Sequence, residues 1–360
     1  MFAEAEATSV DLGIAWYRNL VETVFPTDKG VRFYVLRHDG KPVAALPLLV
    51  VNQPLGQQVC ALANYYSALY APILRTGIQA PDLVPLLRSI LKHEGGVASL
   101  RMAPMDPETQ SYRTMFEALR LAGMVPFRYF CFGNWYLNVQ GDWAQYLADR
   151  KGTLRSTIKR MNKKLSQNGG TLEVVESDSE CERVIQAYQQ VYDQSWKVPE
   201  PYPRFVPDLI RLCARNGWMR VGIAWLDGKP LAAQLWIVAN GKASIYKVAY
   251  DEAYKQFAPG TLVTSALMEH VLTKDAVQEV DYMIGDDKYK QTWMNHRRER
   301  WGILAYNPRN MRGLYGLVRE MAGKTAKEWV KRYRARFKRS ATVATETSGK
   351  ANGRQETTAD

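Results

Sequence analysis

The spacing of hydrophobic positions changes several times along the chain, and each change predicts a new helix or strand. Over residues 11–25 apolar side chains recur every four positions, which is the period of one face of an α-helix. Residues 31–51 form two apolar runs separated by Asp39-Gly40, a strong β-hairpin signal. The same reasoning predicts helices over residues 81–93 and 111–122 and strands over residues 97–102 and 126–139.

One succession of hairpin, helix and strand occurs twice. Residues 39–51 read DGKPVAALPLLVV and residues 227–239 read DGKPLAAQLWIVA. Each copy continues with a helix and then a strand, over 81–93 and 97–106 in the first and over 260–273 and 278–287 in the second. Since the same elements recur in the same order with altered spacing, the sequence predicts a duplicated fold with different loops.

The segment 242–293 carries the candidate chemistry. Its first residues alternate like a strand, and Pro259-Gly260 then opens a helix; proline is tolerated in a first turn, and glycine lets a ligand approach the backbone. A second strand, predicted over 280–284, ends in the Gly-Asp-Asp triplet at 285–287. This arrangement suits a phosphate-bearing cofactor, because free N–H groups and a helix dipole favour anions.

These residues resemble the CelD-like and FemAB-like branch of the GNAT acyltransferase superfamily. In that branch a tyrosine-bearing strand with "yDe-y" leads into an "sPG" helix start, followed by "D-f-x-x-G-d-e-x-Y-K-x-x-W". The sequence departs from this pattern at Asp287, where the branch usually has Glu, and at Ala258, where Ser is common. The resemblance reaches back to about Leu137 and so covers about half of the chain. The matching residues are Tyr250, Asp251, Glu252, Tyr254, Pro259, Gly260, Asp281, Gly285, Asp286, Tyr289, Lys290 and Trp293.

The resemblance implies an α/β (α+β) fold of two tandem GNAT-like domains, each a mixed, mainly antiparallel twisted sheet flanked by helices. We expect an N-terminal domain at residues 1–139 on the acceptor side, and a C-terminal catalytic domain with a basic connecting helix at residues 140–310. Only the second copy has the Pro-Gly helix start and the Gly-Asp-Asp ending, so the first is expected to help form the acceptor groove. A basic helical extension is predicted at residues 311–339 and a disordered tail at residues 340–360.

The resemblance also implies transfer of an acyl group from acetyl-CoA or another acyl-CoA to an amine, without a metal. Such a reaction needs a held donor, a polarised thioester carbonyl and a deprotonated acceptor. The expected cofactor-binding residues are Tyr246, Lys247, Val248, Gln256, Ala258, Gly260 and Thr261. The candidate catalytic residues are Asp251, Asp286, Asp287, Tyr289 and Lys290, and the candidate substrate-binding residues are Tyr66, Arg155, Lys159, Trp196 and Tyr250.

Two parts of this interpretation stay open at the level of sequence. Asp286 and Asp287 are also ordinary capping residues for a helix that begins at Lys288, and Asp251 is a further candidate for proton handling, so the carboxylate that acts as general base is undecided. The family's glycine-rich loop survives only as Gln256-Phe-Ala-Pro-Gly260, and proline removes one donor. An aminoacyl-tRNA donor, which FemAB-type relatives use on the same scaffold, is therefore kept as an alternative.

Charge points to polyanionic surroundings. The 360 residues, enough for two domains, carry a formal net charge of +12 with a pI of about 9.4, which suits nucleic acid, an anionic membrane face or an acidic glycan. Four basic residues recur every fourth position at Lys151, Arg155, Lys159 and Lys163, and Lys324–Arg339 holds eight Lys or Arg and one acid. The first stripe could dock a phosphate-bearing acceptor or carrier, or be a solvated helix face. The second segment could attach to anionic lipid, or serve solubility.

Cysteine usage and hydropathy bear on the compartment. Cys60, Cys131, Cys181 and Cys213 are scattered, which is typical of buried thiols in a reducing compartment. No stretch of about 18 apolar residues occurs, so no membrane span is expected. We predict a cytoplasmic protein that is at most peripheral at the inner face of the membrane.

Three functions remain from the sequence. The first is an N-acyltransferase for an amino sugar or related precursor in exopolysaccharide or cell-envelope biosynthesis. The second is a FemX-like transferase that takes aminoacyl-tRNA and extends a peptidoglycan precursor, which the basic surface permits. The third is a non-catalytic glycan- or membrane-binding protein, which the presence of Asp286, Tyr289 and Lys290 disfavours.

Overall fold

The first half of the chain begins with two helices, continues with four strands and then alternates between helices and strands. The computed structural model of the protein describes residues 1–54 and 56–323. The elements of this half are α1 (Phe2–Glu6), α2 (Ile14–Val24), β1 (Val31–His38), β2 (Lys41–Gln53), β3 (Gly56–Ala61), β4 (Ile73–Leu74), α3 (Ala80–Glu94), β5 (Val97–Met105), α4 (Gln110–Leu121) and β6 (Val125–Asn138).

The second half starts with four helices and a short strand and then repeats the hairpin, helix and strand. Its elements are α5 (Trp143–Ala148), α6 (Gly152–Gln167), β7 (Thr171–Val175), α7 (Cys181–Asp193), α8 (Phe205–Arg215), β8 (Met219–Leu226), β9 (Lys229–Ala239), β10 (Lys242–Tyr250), α9 (Pro259–Thr273), β11 (Glu279–Asp281) and β12 (His296–Tyr306). Residues 311–323 form a further helix, which we call the C-terminal helix. The rest of the predicted basic extension and the predicted tail lie outside the described residues.

Within the described residues, all twelve strands belong to one sheet. Its order is β1-β2-β3-β5-β12-β6-β11-β10-β9-β8-β7, with β4 paired beside β2. Two of the pairings are parallel, β3 with β5 and β10 with β11, and the others are antiparallel. The predicted α/β architecture, a mixed and mainly antiparallel sheet flanked by helices, is confirmed. The last strand, β12, returns to lie between β5 and β6, so the sheet is continuous from one half to the other.

The two predicted hairpins have the same turn. Asp39 and Asp227 both have positive φ, 49° and 50°, and each is followed by a glycine with φ near 75°. Successive positive φ angles are what a two-residue hairpin turn requires, because its twist matches that of the flanking strands. In each half the strand that follows the hairpin then pairs in parallel with the strand that follows the next helix.

Helices cover the sheet with separate apolar clusters. In the first half α3 and α4 pack against β2, β3 and β5. In the second half α2, α7 and α8 cover one face of β8 to β10, while α5, α6 and α9 cover the other face. None of the helices in the described part of the chain has the length and apolar composition that crossing a bilayer requires.

Candidate functional site

Strands β10 and β11 pair briefly and then separate. Three residue pairs join them, from Lys242 with Glu279 to Ser244 with Asp281. The register of β10 against β9 then shifts between Ile245 and Lys247, which is a β-bulge at Tyr246. A bulge bends a strand and increases its twist. Beyond it, β10 has no ladder partner on the β11 side among the described residues, so one strand edge faces an opening.

The chain after β11 separates from β10 at the same level and stays beside β6. We predicted a strand over 280–284, but β11 ends at Asp281. Met283 and Gly285 have φ of 55° and 107°, values that a strand does not tolerate. Tyr282 instead donates its N–H to the Trp135 carbonyl of β6, at 2.8 Å. The turn therefore widens the gap that the bulge opens.

The gap is a cleft of about 440 Å³, which we call the β10–β11 cleft. Aromatic rings and aliphatic side chains form most of its wall, and three lysines and one carboxylate are the charged groups among the described residues that line it. The lining residues are Tyr65, Tyr66, Ala68, Trp196, Lys197, Ile245, Tyr246, Lys247, Val248, Tyr282, Met283, Ile284, Asp287, Tyr289 and Lys290. The cleft thus brings together eight of the residues predicted from the sequence.

Helix α9 begins without a side-chain cap. Ala258 precedes it in the left-handed conformation, with φ 48° and ψ 48°, and the first turn contains no acidic residue. The Lys164 ammonium group donates to the Gln256 carbonyl at 3.1 Å, which places a cation beside this turn. A hydrogen bond fixes the position of Gly260: Gln234 Nε2 donates to the Gly260 carbonyl at 2.9 Å. An uncapped helix N-terminus next to a lysine is a favourable place for a phosphate group.

The predicted cofactor-binding residues divide between these two features. Tyr246, Lys247 and Val248 line the β10–β11 cleft. Gln256, Ala258, Gly260 and Thr261 lie instead along the turn into α9, in the order in which the chain runs from β10.

Lys290 is buried and holds the loop after β11. Its ammonium group donates to the carbonyls of Ile284 at 2.6 Å and of Tyr282 and Gly285 at 3.3 Å. The Asp287 carboxylate lies 3.4 Å away. Burial lowers the pKa of Lys290, while the nearby carboxylates oppose that shift. Its donors are committed to the backbone, so its position matches a structural role.

The three predicted acids occupy three different places. Asp287 lines the cleft with 60% of its side chain exposed, and it is the one carboxylate among the described lining residues. Asp286 points elsewhere: it accepts from Trp135 Nε1 at 2.6 Å and from Arg297, whose hydrogen bond lowers the pKa of Asp286. Asp251 is buried, caps the turn after β10 through Ala253 and pairs with Lys229.

Tyr289 stands half exposed at the wall of the cleft. Its ring meets the ring of Tyr282 edge to face, with 5.5 Å between centroids. Burial and then the nearby Asp287 carboxylate raise the pKa of Tyr289 to about 12. The phenol therefore keeps its proton at neutral pH and can donate a hydrogen bond.

A proline-stiffened loop adds two charged residues that the sequence reasoning did not select. The largely buried Glu200 carboxylate, with 12% of its side chain exposed, accepts from Lys247 Nζ at 2.5 Å and from the Tyr66 hydroxyl at 2.6 Å. Lys197 lines the cleft, and burial, followed by repulsion from Lys247, lowers its pKa to about 8. Prolines at 199 and 201 stiffen this loop, but the Glu200–Lys247 contact joins residues 47 positions apart, so no local sequence pattern could have predicted it.

The predicted substrate-binding residues do not all meet. Trp196 and Tyr66 line the cleft, and Tyr250 lies behind Trp196, with 4.6 Å between the ring centroids. Arg155 and Lys159 lie on the solvent face of α6, away from the cleft lining.

One cluster in the described chain has metal-ligand geometry. Glu176, His270 and Asp275 bring one ligand atom each within 4.8 Å of the others. Arg220 is 2.6 Å from Asp275, and Lys274 binds Glu176. These cations neutralise the carboxylates, so we interpret the cluster as an ion-pair network rather than a metal site.

Comparison with known proteins gives one family match and several structural matches. Residues 152–291 match a family model described as an acetyltransferase (GNAT) domain, and this range contains β10, α9 and β11. No curated protein sequence matches the chain.

Three solved structures share the fold at low identity. A structure of FemX is 11% identical with a TM-score of 0.57, covering 85% of this chain and 93% of that one. The C-terminal domain of a putative lysylphosphatidylglycerol synthetase from Agrobacterium fabrum is 14% identical with a TM-score of 0.50, covering 84% and 94%. L-PGS from Bacillus licheniformis is 12% identical with a TM-score of 0.51, covering 81% and 90%.

Proposed function

We propose that this chain, which belongs to the GNAT superfamily, is an N-acyltransferase that moves an acyl group, acetyl in the simplest case, from acyl-CoA to an amine. The acceptor that we propose is an amino sugar or a related precursor in exopolysaccharide or cell-envelope biosynthesis. The main observation behind this proposal is that β10 separates from β11 next to the uncapped N-terminus of α9.

Donor binding follows from that geometry. The free edge of β10 from Ile245 to Val248 offers backbone donors and acceptors to an extended amide-bearing arm, in the way that an added strand would use them. The turn into α9 offers its positive end to a pyrophosphate, with Lys164 beside it. The strand and the helix start are consecutive in the chain, so a single segment would hold both ends of the donor.

The residues of the cleft supply what acyl transfer needs. Asp287 binds the acceptor's ammonium group and takes its proton. The freed amine attacks the thioester carbon and forms the carbon–nitrogen bond of the amide. The carbon–sulfur bond breaks, Tyr289 protonates the departing thiolate, and the tyrosinate regains a proton from the nitrogen of the new amide. Lys197, with a pKa near 8, lies in the same cleft and offers positive charge to the developing oxyanion below that pH.

A FemX-like aminoacyl-tRNA-dependent transferase acting on a peptidoglycan precursor is the second candidate. The similarity to FemX and the solvent-exposed basic face of α6 favour it, because α6 itself packs against α9, the helix that would hold the donor. A phosphate backbone would bind such a face with a strong dependence on salt concentration.

A non-catalytic glycan- or membrane-binding protein is the third candidate. This candidate gives no role to Asp287 and Tyr289, which line the same cleft.

We further propose a cytoplasmic location with peripheral attachment to an anionic membrane. The C-terminal helix exposes Met311, Leu314, Tyr315 and Val318, which are spaced so that they share one face. The sequence continues into Lys324–Arg339 with its eight basic residues, each worth roughly 1 kcal/mol near an anionic surface.

Calorimetric titration with acetyl-CoA, with CoA and with aminoacyl-tRNA separates the candidates. Under the first proposal acetyl-CoA binds and raises the melting temperature, because a ligand that binds only the folded state stabilises it. Tight tRNA binding that weakens steeply with salt, without acetyl-CoA binding, would support the second candidate. Binding of neither donor would favour the third.

A matched pair of variants tests the proposed base. Asp287→Asn should lower kcat about 100-fold or more, the range for losing a general base, and leave the Kd for acetyl-CoA unchanged. Asp286→Asn removes the neighbouring carboxylate, which is paired with Arg297, and should change kcat only a few-fold. The reverse ranking would assign the proton transfer to Asp286.

A further inference from the structure

The first repeat has a cleft of its own at the position that corresponds to the β10–β11 cleft. Strands β3 and β5 pair in parallel as far as Cys60 with Arg101, as β10 and β11 pair as far as Ser244 with Asp281. Beyond Cys60 and Arg101 lies a cleft of about 400 Å³, which we call the β3–β5 cleft. Its lining residues are Cys60, Ala61, Ala63, Asn64, Tyr65, Ser67, Arg101, Ala103, Pro104, Cys131, Phe132 and Ile284.

The two clefts adjoin each other. Tyr65 and Ile284 line both of them. Both residues are partly exposed, at 50% and 39%, so they form a low boundary between two open clefts. A molecule seated in the β3–β5 cleft can therefore extend across Tyr65 and Ile284 into the β10–β11 cleft.

The β3–β5 cleft lacks the phosphate-binding start that α9 provides. Helix α3 opens with a capping box, in which the Asp82 carboxylate accepts from the Gln79 N–H at 2.8 Å. The cap occupies the helix start and adds a negative charge to its first turn, which disfavours pyrophosphate. The duplicated cleft is thus built for something other than a second molecule of acyl-CoA.

Charge in the β3–β5 cleft comes from one arginine. Arg101 is the one charged residue among the described lining residues. Its Nε donates to the Tyr129 hydroxyl at 2.7 Å, and the guanidinium carbon lies 5.5 Å from the centre of the Tyr129 ring. These contacts orient the side chain and leave its two terminal nitrogens without a hydrogen bond to any described residue. An oriented guanidinium fork is suited to carboxylate or phosphate oxygens.

Two buried polar atoms in the lining also lack partners. Ser67 Oγ and Asn64 Nδ2 are inaccessible to solvent and make no hydrogen bond within the described chain, and Ser67 as a whole is 2% exposed. Asn64 is oriented by its other amide atom, because Oδ1 accepts from the Tyr66 N–H at 2.9 Å. Buried donors without partners are costly, so their presence in the same cleft as Arg101 points to a missing acceptor group.

We infer that the β3–β5 cleft binds an anionic group, phosphate or carboxylate, of the acceptor, through Arg101 with Asn64 and Ser67. The acceptor then reaches across Tyr65 and Ile284, so that its amine lies near Asp287. This inference rests on the proposed function for the identity of the ligand as acceptor. The presence of an anion site in the first repeat is independent of it.

Cysteine protection tests the inference without a donor. Cys60 and Cys131 are partly exposed in the cleft, whereas Cys181 and Cys213 are buried elsewhere and serve as internal controls. The full chain is treated with N-ethylmaleimide in the presence of glucose, glucuronate or glucose 1-phosphate, and each cysteine is followed by peptide mass spectrometry. We expect one or both anionic sugars to slow modification of Cys60 and Cys131 and glucose to have no effect; which anion protects distinguishes carboxylate from phosphate.

A variant pair completes the test. Arg101→Gln should lower the affinity for the protecting anion about tenfold, because a charge-assisted hydrogen bond is lost. Cysteine protection and calorimetric titration both measure this affinity. Arg113→Gln removes an exposed arginine of α4 outside both clefts and should change nothing. Equal anion affinity in Arg101→Gln and wild type, or protection of Cys60 by acetyl-CoA rather than by either anion, would overturn the inference. Failure of acetyl-CoA to bind anywhere would count against the proposed function alone.

Discussion

At the scale of single residues, Lys290 shows how a charged side chain inside a family motif can stabilise the backbone of a loop by hydrogen bonding to it. The ammonium group is buried among three carbonyl oxygens of the loop after β11. That loop contains Met283 and Gly285 with positive φ, and it forms one wall of the β10–β11 cleft. The position of Asp287 and Tyr289 therefore depends on a lysine that need not touch the substrate.

We predict that Lys290→Met destabilises the protein by about 2–4 kcal/mol, because it leaves buried carbonyls without a donor and removes a buried charge partner. Lys288→Met, two residues earlier and exposed, is the matched control and should be neutral within ~0.5 kcal/mol. Urea unfolding followed by circular dichroism measures both. Equal stability of the two variants would mean that the loop holds its shape without Lys290.

The separation of Asp286 from Asp287 marks a limit of sequence reasoning at this scale. The motif places Asp286 and Asp287 together at the end of a predicted strand, and the sequence contains no feature that distinguishes their roles. Arg297 and Trp135 take Asp286 away from the cleft, and these partners come from β12 and β6. Contacts between distant segments decide the direction of each side chain. The sequence therefore identified the two aspartates but could not tell which of them lines the cleft.

At the scale of elements, the start of α9 should control donor affinity. Thr261→Glu places a carboxylate in the first turn of α9 and should weaken acetyl-CoA binding about tenfold or more, because like charges and a neutralised helix terminus disfavour the pyrophosphate. Thr273→Glu makes the same change at the exposed last residue of the same helix and should leave affinity unchanged. Calorimetric titration gives both constants; equal weakening would indicate that the pyrophosphate binds elsewhere.

Local elements were the most predictable part of the fold. The Asp-Gly turns, the Pro-Gly start of α9 and the duplicated order depend on neighbouring residues, and each is present in the structure. The early end of β11 at Asp281 was not foreseen, because a left-handed methionine at 283 has no sequence signal. The β3–β5 cleft was also not foreseen, since Arg101, Asn64 and Ser67 come together through the sheet and a long loop.

At the scale of the whole molecule, β12 joins the two halves. It pairs with β6 along eleven residue pairs and with β5 on its other side, so a strand from late in the chain completes the first half of the sheet. Hydrophobic periodicity carries no information about which strands are the neighbours of β12 in the sheet. The proposed boundary between residues 139 and 140 therefore separates segments that share one hydrogen-bonded sheet.

We predict that the halves unfold as one unit. Ile303→Ala in β12 removes a side chain that is 0% exposed within the core of the first half and should cost about 2–5 kcal/mol. Hydrogen exchange should then accelerate in both β2 and β9, although β9 is far from the substitution. Ile223→Ala in β8 is the matched change in the other half and should accelerate exchange in β2 as well. Acceleration confined to the half that carries the substitution would show two independent units.

The shared boundary of the two clefts sets a minimum length for the acceptor. Tyr65 and Ile284 line both clefts, so a ligand that uses both must be long enough to cross these two side chains. Compounds whose amine and anionic group sit on neighbouring atoms should therefore be poor acceptors whatever their individual chemistry.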